Sequence, residues 1–354
     1  MIDYYYLRKT NKEICEFNTP IKKFIKKLNN SKYLFQIIID ENKKYIGTVT
    51  DGDLRRFLIK YDINQKNLKK LINTKSIYGY INDDKKNIEK IKKLSKVTRS
   101  LIDFIPILDS NKIVKKILIL DKNYKLNNFA CFIFAGGKGK RMRSLNTVLP
   151  KPLLKINNST LLDKTIKKIS NTGINNFFLS INYKKNLIKK NLQSKFSNKF
   201  NIEFVEEINF LGTAGSLHLV KNKNFEHFLV MNCDVVTNLE LSSFIEYYLS
   251  TNFDVLIGAS IIKYNIPYGV INETEGKFLN IHEKPDKSFK VSSGIYIFRK
   301  ENFSLIKANK YLDMPKFLSD LSAKKKNIGI FPIYEKWLDV GTPKSLIEGK
   351  KNFK

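Results

Sequence analysis

The run Phe129–Phe134 (FACFIF) ends in a glycine-rich turn at Gly136, Gly137 and Gly139. A short, wholly apolar stretch that stops at a turn signal is consistent with a strand buried on both faces. Strand and helix patterns then alternate along the chain: Ala130–Ala135, Leu161–Asn171, Phe177–Ile181, Leu187–Phe196, Asn201–Val205, Leu217–Lys221 and Phe228–Met231. Such alternation predicts an α/β domain with a mostly parallel sheet covered by helices. In sheets of this kind ligands bind at the carboxyl ends of the strands, and the glycine turn sits at one such end.

The turn is also chemically pointed. Its glycines let the backbone approach an anion with N–H groups aimed at phosphate oxygens. Three cations follow, Lys140, Arg141 and Arg143, suited to neutralising charge that moves during phosphoryl or nucleotidyl transfer. Pro150 and Pro152 restrict the backbone around Lys151 and present its ammonium from a fixed position. No Gly-Lys-Ser/Thr closes a P-loop, and the third glycine of the dinucleotide fingerprint is missing. The whole string resembles the signature of the sugar-1-phosphate nucleotidylyltransferases, GGxGxRLxPLT followed by PKP. Gly136, Gly137, Gly139, Arg141, Met142, Leu145, Pro150, Lys151 and Pro152 match, while Lys140, Ser144 and Asn146 depart. The resemblance implies a Rossmann-like mixed, mostly parallel sheet of the nucleotide-diphospho-sugar transferase type. It assigns nucleotide binding to Ala135, Gly136, Gly137 and Gly139.

Four further segments carry the same resemblance in the family's order. Asp234 follows the strand FLVMNC in Asn232-Cys233-Asp234, where the family writes Asn-Gly-Asp and its Asp binds Mg²⁺. Read alone, an aspartate there is as often a helix cap. Trp337-Leu338-Asp339-Val340-Gly341-Thr342-Pro343 resembles the late segment that supplies the second metal carboxylate, which makes Asp339 that ligand. Two carboxylates distant in sequence suit Mg²⁺, which takes few protein oxygens plus phosphates and waters. Glu206 to Gly215 (EEINFLGTAG) resembles the base-reading loop, with Glu207, Gly212 and Thr213 in nucleotide-binding places. A carboxylate at Glu207 only accepts hydrogen bonds. Guanine offers two donors on one edge, so the loop points to GTP, with UTP, dTTP and CTP as alternatives. Gly269 and Glu283 match positions that face the sugar, Ser292 takes such a position where the family commonly has Asn, and Lys284 matches the position that holds the sugar's phosphate.

The implied reaction is in-line attack of a sugar-1-phosphate oxygen on the nucleotide α-phosphorus, with pyrophosphate leaving. No general base is needed, because the nucleophile is already an anion. Arg141 would hold the β- and γ-phosphates, Lys151 the α-phosphate and Lys284 the attacking phosphate. Mg²⁺ on Asp234 and Asp339 would join the two substrates. His218, His227 and His282 show no ligand spacing and read as packing or surface residues.

Residues 1–125 have another character. Tyr33–Asp40 and Tyr45–Thr50 read as strands joined by a turn, and Asp51–Tyr61 as a helix. Phe104–Leu108 and Ile113–Leu120 echo them about sixty residues later. The segment Gly47-Thr48-Val49-Thr50-Asp51-Gly52-Asp53 resembles the end of a CBS-domain motif. That resemblance implies a smaller α+β CBS pair. Thr50 and Asp53 would meet the ribose of an adenine nucleotide, the plainer reading being a capped helix start. The expected division is 1–125 for regulation or assembly and 129–354 for the transferase, with homo-oligomerisation through the CBS pair. A CBS pair ahead of this domain is similar to the glucosamine-1-phosphate guanylyltransferases of nonulosonic (legionaminic) acid synthesis. Mannose- and heptose-1-phosphate enzymes stay open.

Composition narrows the alternatives. The formal charge is +31, but only seven of the 64 basic residues are Arg and the lysines are spread along the chain. That argues for a global lysine bias and against a nucleic-acid surface, which leans on Arg as well. No apolar run is long enough to span a membrane, and three scattered cysteines suit a reducing cytoplasm. A catalytically silent regulatory subunit is disfavoured by the retained Arg141, Lys151, Asp234, Asp339 and Lys284. An RNA nucleotidyltransferase is disfavoured by the missing Gly-Ser loop with Asp-x-Asp.

Overall fold

The computed structural model describes residues 3–8, 10–31, 33–60, 68–97, 102–121, 126–137, 139, 141–142, 149–196 and 199–353. The chain divides into two compact units, Met1–Lys125 with Ser242–Asn252, and Leu126–Leu241 with Phe253–Lys354.

The first unit holds β1 (Asp3–Leu7), β2 (Ile14–Glu16), α1 (Ile21–Asn30), β3 (Phe35–Ile39), β4 (Tyr45–Thr50) and α2 (Asp51–Lys60). It continues with β5 (Gly79–Tyr80), α3 (Asp84–Val97), β6 (Ile102–Leu108) and β7 (Val114–Asp121). β2 runs parallel to β3, which pairs antiparallel with β4; β5, β6 and β7 repeat this arrangement. The echo heard in the sequence is therefore a repeated β-α-β-β topology, with a period nearer seventy residues than sixty. Ile117 and Ile119 of β7 pack with Phe35 and Ile37 of β3, while Leu118 and Leu120 pack with Ile91 of α3. Alternate side chains of one strand thus fill two different cores, so β7 is covered on both faces.

The second unit opens with β8 (Phe129–Phe134). The small hairpin β9 (Lys155–Ile156) and β10 (Ser159–Thr160) follows, then α4 (Leu161–Ser170), β11 (Asn176–Ile181), α5 (Lys185–Phe196), β12 (Asn201–Glu206) and the one-turn α6 (Gly212–Gly215). Next come β13 (His227–Asn232), β14 (Val235–Thr237), α7 (Leu241–Leu249, nearly all of it counted with the first unit), β15 (Val255–Asn265), β16 (Val270–Thr274) and β17 (Lys277–His282). β18 (Asp286–Arg299), α8 (Met314–Ala323), β19 (Ile328–Ile333), β20 (Trp337–Asp339) and α9 (Pro343–Asn352) complete it. Seven strands form one sheet in the order β12-β11-β8-β13-β18-β15-β19. β18 is antiparallel to both its neighbours; the other pairings are parallel. This is the mixed, mostly parallel sheet expected.

α4 shows why these segments fold locally. Thr160 accepts from the Asp163 N–H at 3.0 Å and Asp163 returns a bond to the Thr160 N–H, a capping box. Leu161, Leu162, Ile166 and Ile169 then form its buried stripe. One face of the sheet buries Phe132, Phe228 and Phe298 against Met314, Phe317 and Leu321 of α8. Cys131 and Ile133, on the opposite face of β8, are equally buried. The wholly apolar β8 sequence is the signature of this double burial.

Candidate functional site

The carboxyl ends of β8, β11 and β13 converge on a cavity of about 260 Å³. Gly136, Gly137, Gly139, Arg141, Lys151, Glu207, Gly212, Thr213 and Asp234, all expected from the sequence, line it. Ala135 is buried and donates its N–H to the Ser180 carbonyl at 2.9 Å. It anchors the loop instead of offering that donor to a nucleotide. A Cβ built on Gly137 meets nothing within 4 Å, so an anion can reach the backbone there. Gly139 adopts φ +58°, a left-handed conformation that glycine takes without steric cost. Lys140, Arg143, Ser144, Leu145 and Asn146 lie outside the described residues.

A charged cluster stands at the cavity. Pro150 precedes the 3₁₀ turn Lys151–Leu153, and the Lys151 ammonium bonds the Asp234 carboxylate, with both side chains more than four-fifths buried. Asp234 and Asp339 come together because β14 pairs antiparallel with β20, placing Val235 opposite Asp339, and because the Val340 N–H donates to the Asp234 carbonyl at 2.9 Å. Burial, and then the neighbouring Asp234 carboxylate, push the Asp339 carboxyl above its ordinary pKa, while Lys151 and Arg141 pull it down. The Arg141 guanidinium is 3.9 Å from Asp339 and lies over Gly341, where a Cβ would come within 3.2 Å of it.

Two neighbouring carboxylates, Asp234 mostly buried and Asp339 partly so, beside a phosphate-sized space fit a hard divalent cation completed by phosphate and water oxygens. Among the described residues no cluster of three or more His, Cys, Asp or Glu forms an all-protein metal cage. Cys233, the family's glycine position, is buried, and burial with the Asp234 charge pushes its thiol upward, so it stays protonated.

Glu207 is buried and both its oxygens are engaged. Ser180 donates its hydroxyl to one and the Leu211 N–H donates to the other at 2.9 Å. Asn182 donates to the Glu207 carbonyl at 2.8 Å. The carboxylate therefore shapes the loop and keeps lone pairs over for a ligand. Glu206 points elsewhere, paired with Lys185 and Lys189, which pull its carboxyl down to about 2. Gly212 has φ +81°, and a Cβ on it would lie 2.5 Å from the Leu312 carbonyl oxygen. Its missing side chain makes room for that backbone. Thr213 is tied to the start of α8, accepting from the Met314 N–H at 2.8 Å and donating to Asp313 at 3.4 Å. Sequence reasoning missed Ser180, Asn182, Leu312 and Asp313. A serine ending a buried strand is a weak signal for the first, and nothing local marks the others.

The expected sugar-facing residues lie outside this cavity. Gly269, Glu283 and Lys284 sit at the base of the β16–β17 hairpin, where a Cβ on Gly269 would come 3.0 Å from the Glu283 carboxylate. Lys284 holds φ +44°, a strained conformation for a side-chain-bearing residue, and donates its N–H to the Tyr268 carbonyl. Ser292 shares a 2.6 Å hydrogen bond with the Tyr296 hydroxyl. Of the histidines, His227 packs on Phe129 with centroids 4.8 Å apart and His282 is exposed.

In the first unit Thr50 and Asp53 form a reciprocal cap on α2. The Asp53 carboxylate accepts from the Thr50 N–H at 2.9 Å and its hydroxyl at 2.8 Å, and the Thr50 oxygen accepts from the Asp53 N–H at 3.2 Å. Next to them Arg55 makes two 3.0 Å bonds to Asp51 in a buried ion pair. The capped end borders a cavity of about 400 Å³ lined by Tyr33, Phe35, Thr50, Asp53, Arg56, Lys75, Phe104, Glu246 and Tyr247, all in this unit.

Residues 130–354 match the family described as "Nucleotidyl transferase", and residues 10–60 match the CBS domain. The chain is 29% identical over 226 residues to a mannose-1-phosphate guanyltransferase of Yarrowia lipolytica, covering 61% of this chain and 62% of that protein. It is 29% identical over 228 residues to the Saccharomyces cerevisiae protein of the same name, covering 61% and 62%. It thus spans less than two thirds of the length of these relatives. HddC from Yersinia pseudotuberculosis, solved with GMP-PN, superposes with a TM-score of 0.51 at 23% identity, over 64% of this chain and 99% of that one. A putative glucose-1-phosphate thymidylyltransferase from Bacillus anthracis gives 0.51 at 20% identity, over 63% and 94%. The sheet, the glycine loop at its carboxyl end and the matched segment agree: this chain belongs to the nucleotidyl transferase family and carries a CBS domain ahead of the matched region.

Proposed function

We propose that the protein transfers a nucleoside monophosphate from a nucleoside triphosphate to a sugar-1-phosphate, releasing pyrophosphate, with GTP as donor. The observation that carries this reading is Lys151 bonded to Asp234 beside Asp339 and Arg141, at the open face of the Gly137 turn. The turn supplies backbone donors for the phosphates. Arg141 would take the β- and γ-phosphates, and Lys151 would leave Asp234 for the α-phosphate as charge builds there. Asp234 and Asp339 would hold a divalent cation, Mg²⁺ by the family resemblance, which supplies further neutralisation when bound. Lys284 would steer the attacking sugar phosphate, and Gly269, Glu283 and Ser292 the sugar hydroxyls, once the hairpin and cavity share a substrate. Positioning and charge stabilisation account for the rate, since the nucleophile arrives ionised.

GTP is favoured by the acceptor-only Glu207 and by the guanyltransferase names of the relatives. The acceptor is a hexosamine-, hexose- or heptose-1-phosphate, glucosamine-1-phosphate being the first to test because of the CBS-linked resemblance, for surface-glycan or nonulosonic acid synthesis. An adenine nucleotide in the cavity beside Thr50 and Asp53 would regulate the reaction. Free cysteines at Cys15, Cys131 and Cys233 and the absence of a spanning helix among the described residues favour work in the cytoplasm. The test is pyrophosphate release from four nucleoside triphosphates against a panel of sugar-1-phosphates with Mg²⁺. GTP-dependent release with one acceptor is expected; no release with any pair would overturn the reading.

A further inference from the structure

The cavity beside Thr50 and Asp53 is not walled by the amino-terminal repeats alone. Ser243, Glu246, Tyr247 and Ser250, in the segment Ser242–Asn252 that belongs to the first unit, line it too. They fall at i, i+3, i+4 and i+7, one face of α7 and of the turn that ends it. Burial raises the pKa of the Tyr247 hydroxyl and the Arg56 guanidinium draws it back. α7 therefore stands within electrostatic reach of the residue that pairs with Asp53 at 2.7 Å. At about 400 Å³ the cavity has the size of a small-molecule site.

The other end of the helix leads straight to the catalytic cluster. Six residues, Val235–Glu240, separate Asp234 from α7, and they are pinned. Val235–Thr237 is β14, paired with Trp337–Asp339 of β20. The Asn238 N–H donates to the Lys336 carbonyl at 2.8 Å, and the Leu239 N–H to the Thr237 hydroxyl oxygen at 3.0 Å. Leu239 and Leu241 are fully buried, and of the six linking residues only Asn238 and Glu240 are exposed. A link this short and this well packed has no slack to take up a displacement of α7. Packed segments change between discrete arrangements and do not stretch. Movement of the helix is then movement of β14, and with it of the Asp234 and Asp339 carboxylates that the β14–β20 pairing sets side by side.

We propose, on the reading of this cavity as an adenine-nucleotide site, that α7 completes the site and transmits its occupancy to the Asp234–Asp339 pair along Val235–Glu240. The chain carries its own reporter. Trp337 is its one tryptophan, paired with Thr237 of β14, and its indole N–H donates to the Ser293 carbonyl at 2.9 Å. The test titrates the full chain with AMP, ADP and ATP in turn, without sugar phosphate, and follows Trp337 fluorescence beside calorimetric heat. Both signals should saturate together, and Asp53→Ala should lose both. Tyr247→Ala should weaken binding about tenfold, as expected for a lost polar contact. Asn238→Gly/Glu240→Gly, which frees the backbone at the two exposed link positions, should keep the heat and lose most of the fluorescence change. A thermal melt matching wild type separates that loss from lost fold. Heat with no change at Trp337, or a glycine variant with the full change, would overturn the transmission and leave the nucleotide reading standing. Undiminished affinity in Tyr247→Ala would take α7 out of the site. A fluorescence response that survives Asp53→Ala would arise elsewhere and overturn the proposal; no heat with any of the three would overturn it together with the reading beneath it.

Discussion

Lys151 and Asp234 hold each other, each neutralising a charge the other would otherwise expose in a mostly buried place. Removing either leaves its partner uncompensated and, in the proposed reaction, takes away charge needed at the α-phosphate. Lys151→Ala and Asp234→Ala should each lower kcat by about 10²-fold or more, measured by pyrophosphate release with saturating substrates. Near wild-type rates in both would move the site elsewhere. Glu207 is more constrained than its sequence suggests, because it accepts from Ser180 and the Leu211 N–H at once. In Glu207→Gln one of those donors faces an amide N–H₂. The variant should lose about 1–3 kcal/mol in kcat/KM for GTP, roughly the cost of a buried donor left unpaired. A wild-type preference for UTP or dTTP would remove Glu207 from base recognition.

Among elements, α2 separates two roles for the same pair of residues. Thr50 and Asp53 cap the helix reciprocally, so Thr50→Ala should cost about 1 kcal/mol of stability of the first unit, read from urea unfolding, whether or not a nucleotide binds there. Thr50→Ser should keep the cap and the stability. The strands were legible in the sequence because a doubly buried strand such as β8 has nothing but apolar residues to show. The segment read as a helix at Leu217–Lys221 is a 3₁₀ turn, Ser216–Val220, with the one-turn α6 before it. Gly212 was legible as a special position, yet its reason was not: Leu312 lies a hundred residues on, and only tertiary packing brings its carbonyl against the glycine. The β16–β17 hairpin was unreadable for a related cause: the exposure of both its faces depends on where the main sheet stops.

For the whole molecule, regulation requires a ligand that binds two states of the enzyme unequally. Calorimetry of the full chain against AMP, ADP, ATP and S-adenosylmethionine should give heat with an adenine nucleotide. Asp53→Ala should abolish it, and Thr50→Ser, which keeps the cap, should not. The activity change should correspond to about 1–3 kcal/mol of coupling. Heat equal in wild type and Asp53→Ala would place the ligand elsewhere; no heat with any of the four would leave the repeat a purely structural one. The composition of the first unit also sets an order of events. Its last segment, Ser242–Asn252, lies well over a hundred residues after Lys125. A chain leaving the ribosome at roughly 5–20 residues per second exposes the two repeats for several seconds or more before that segment arrives. The amino-terminal unit is thus the first to be begun but cannot close as soon as its repeats are made: during synthesis it waits, incomplete, while half of its neighbour is translated.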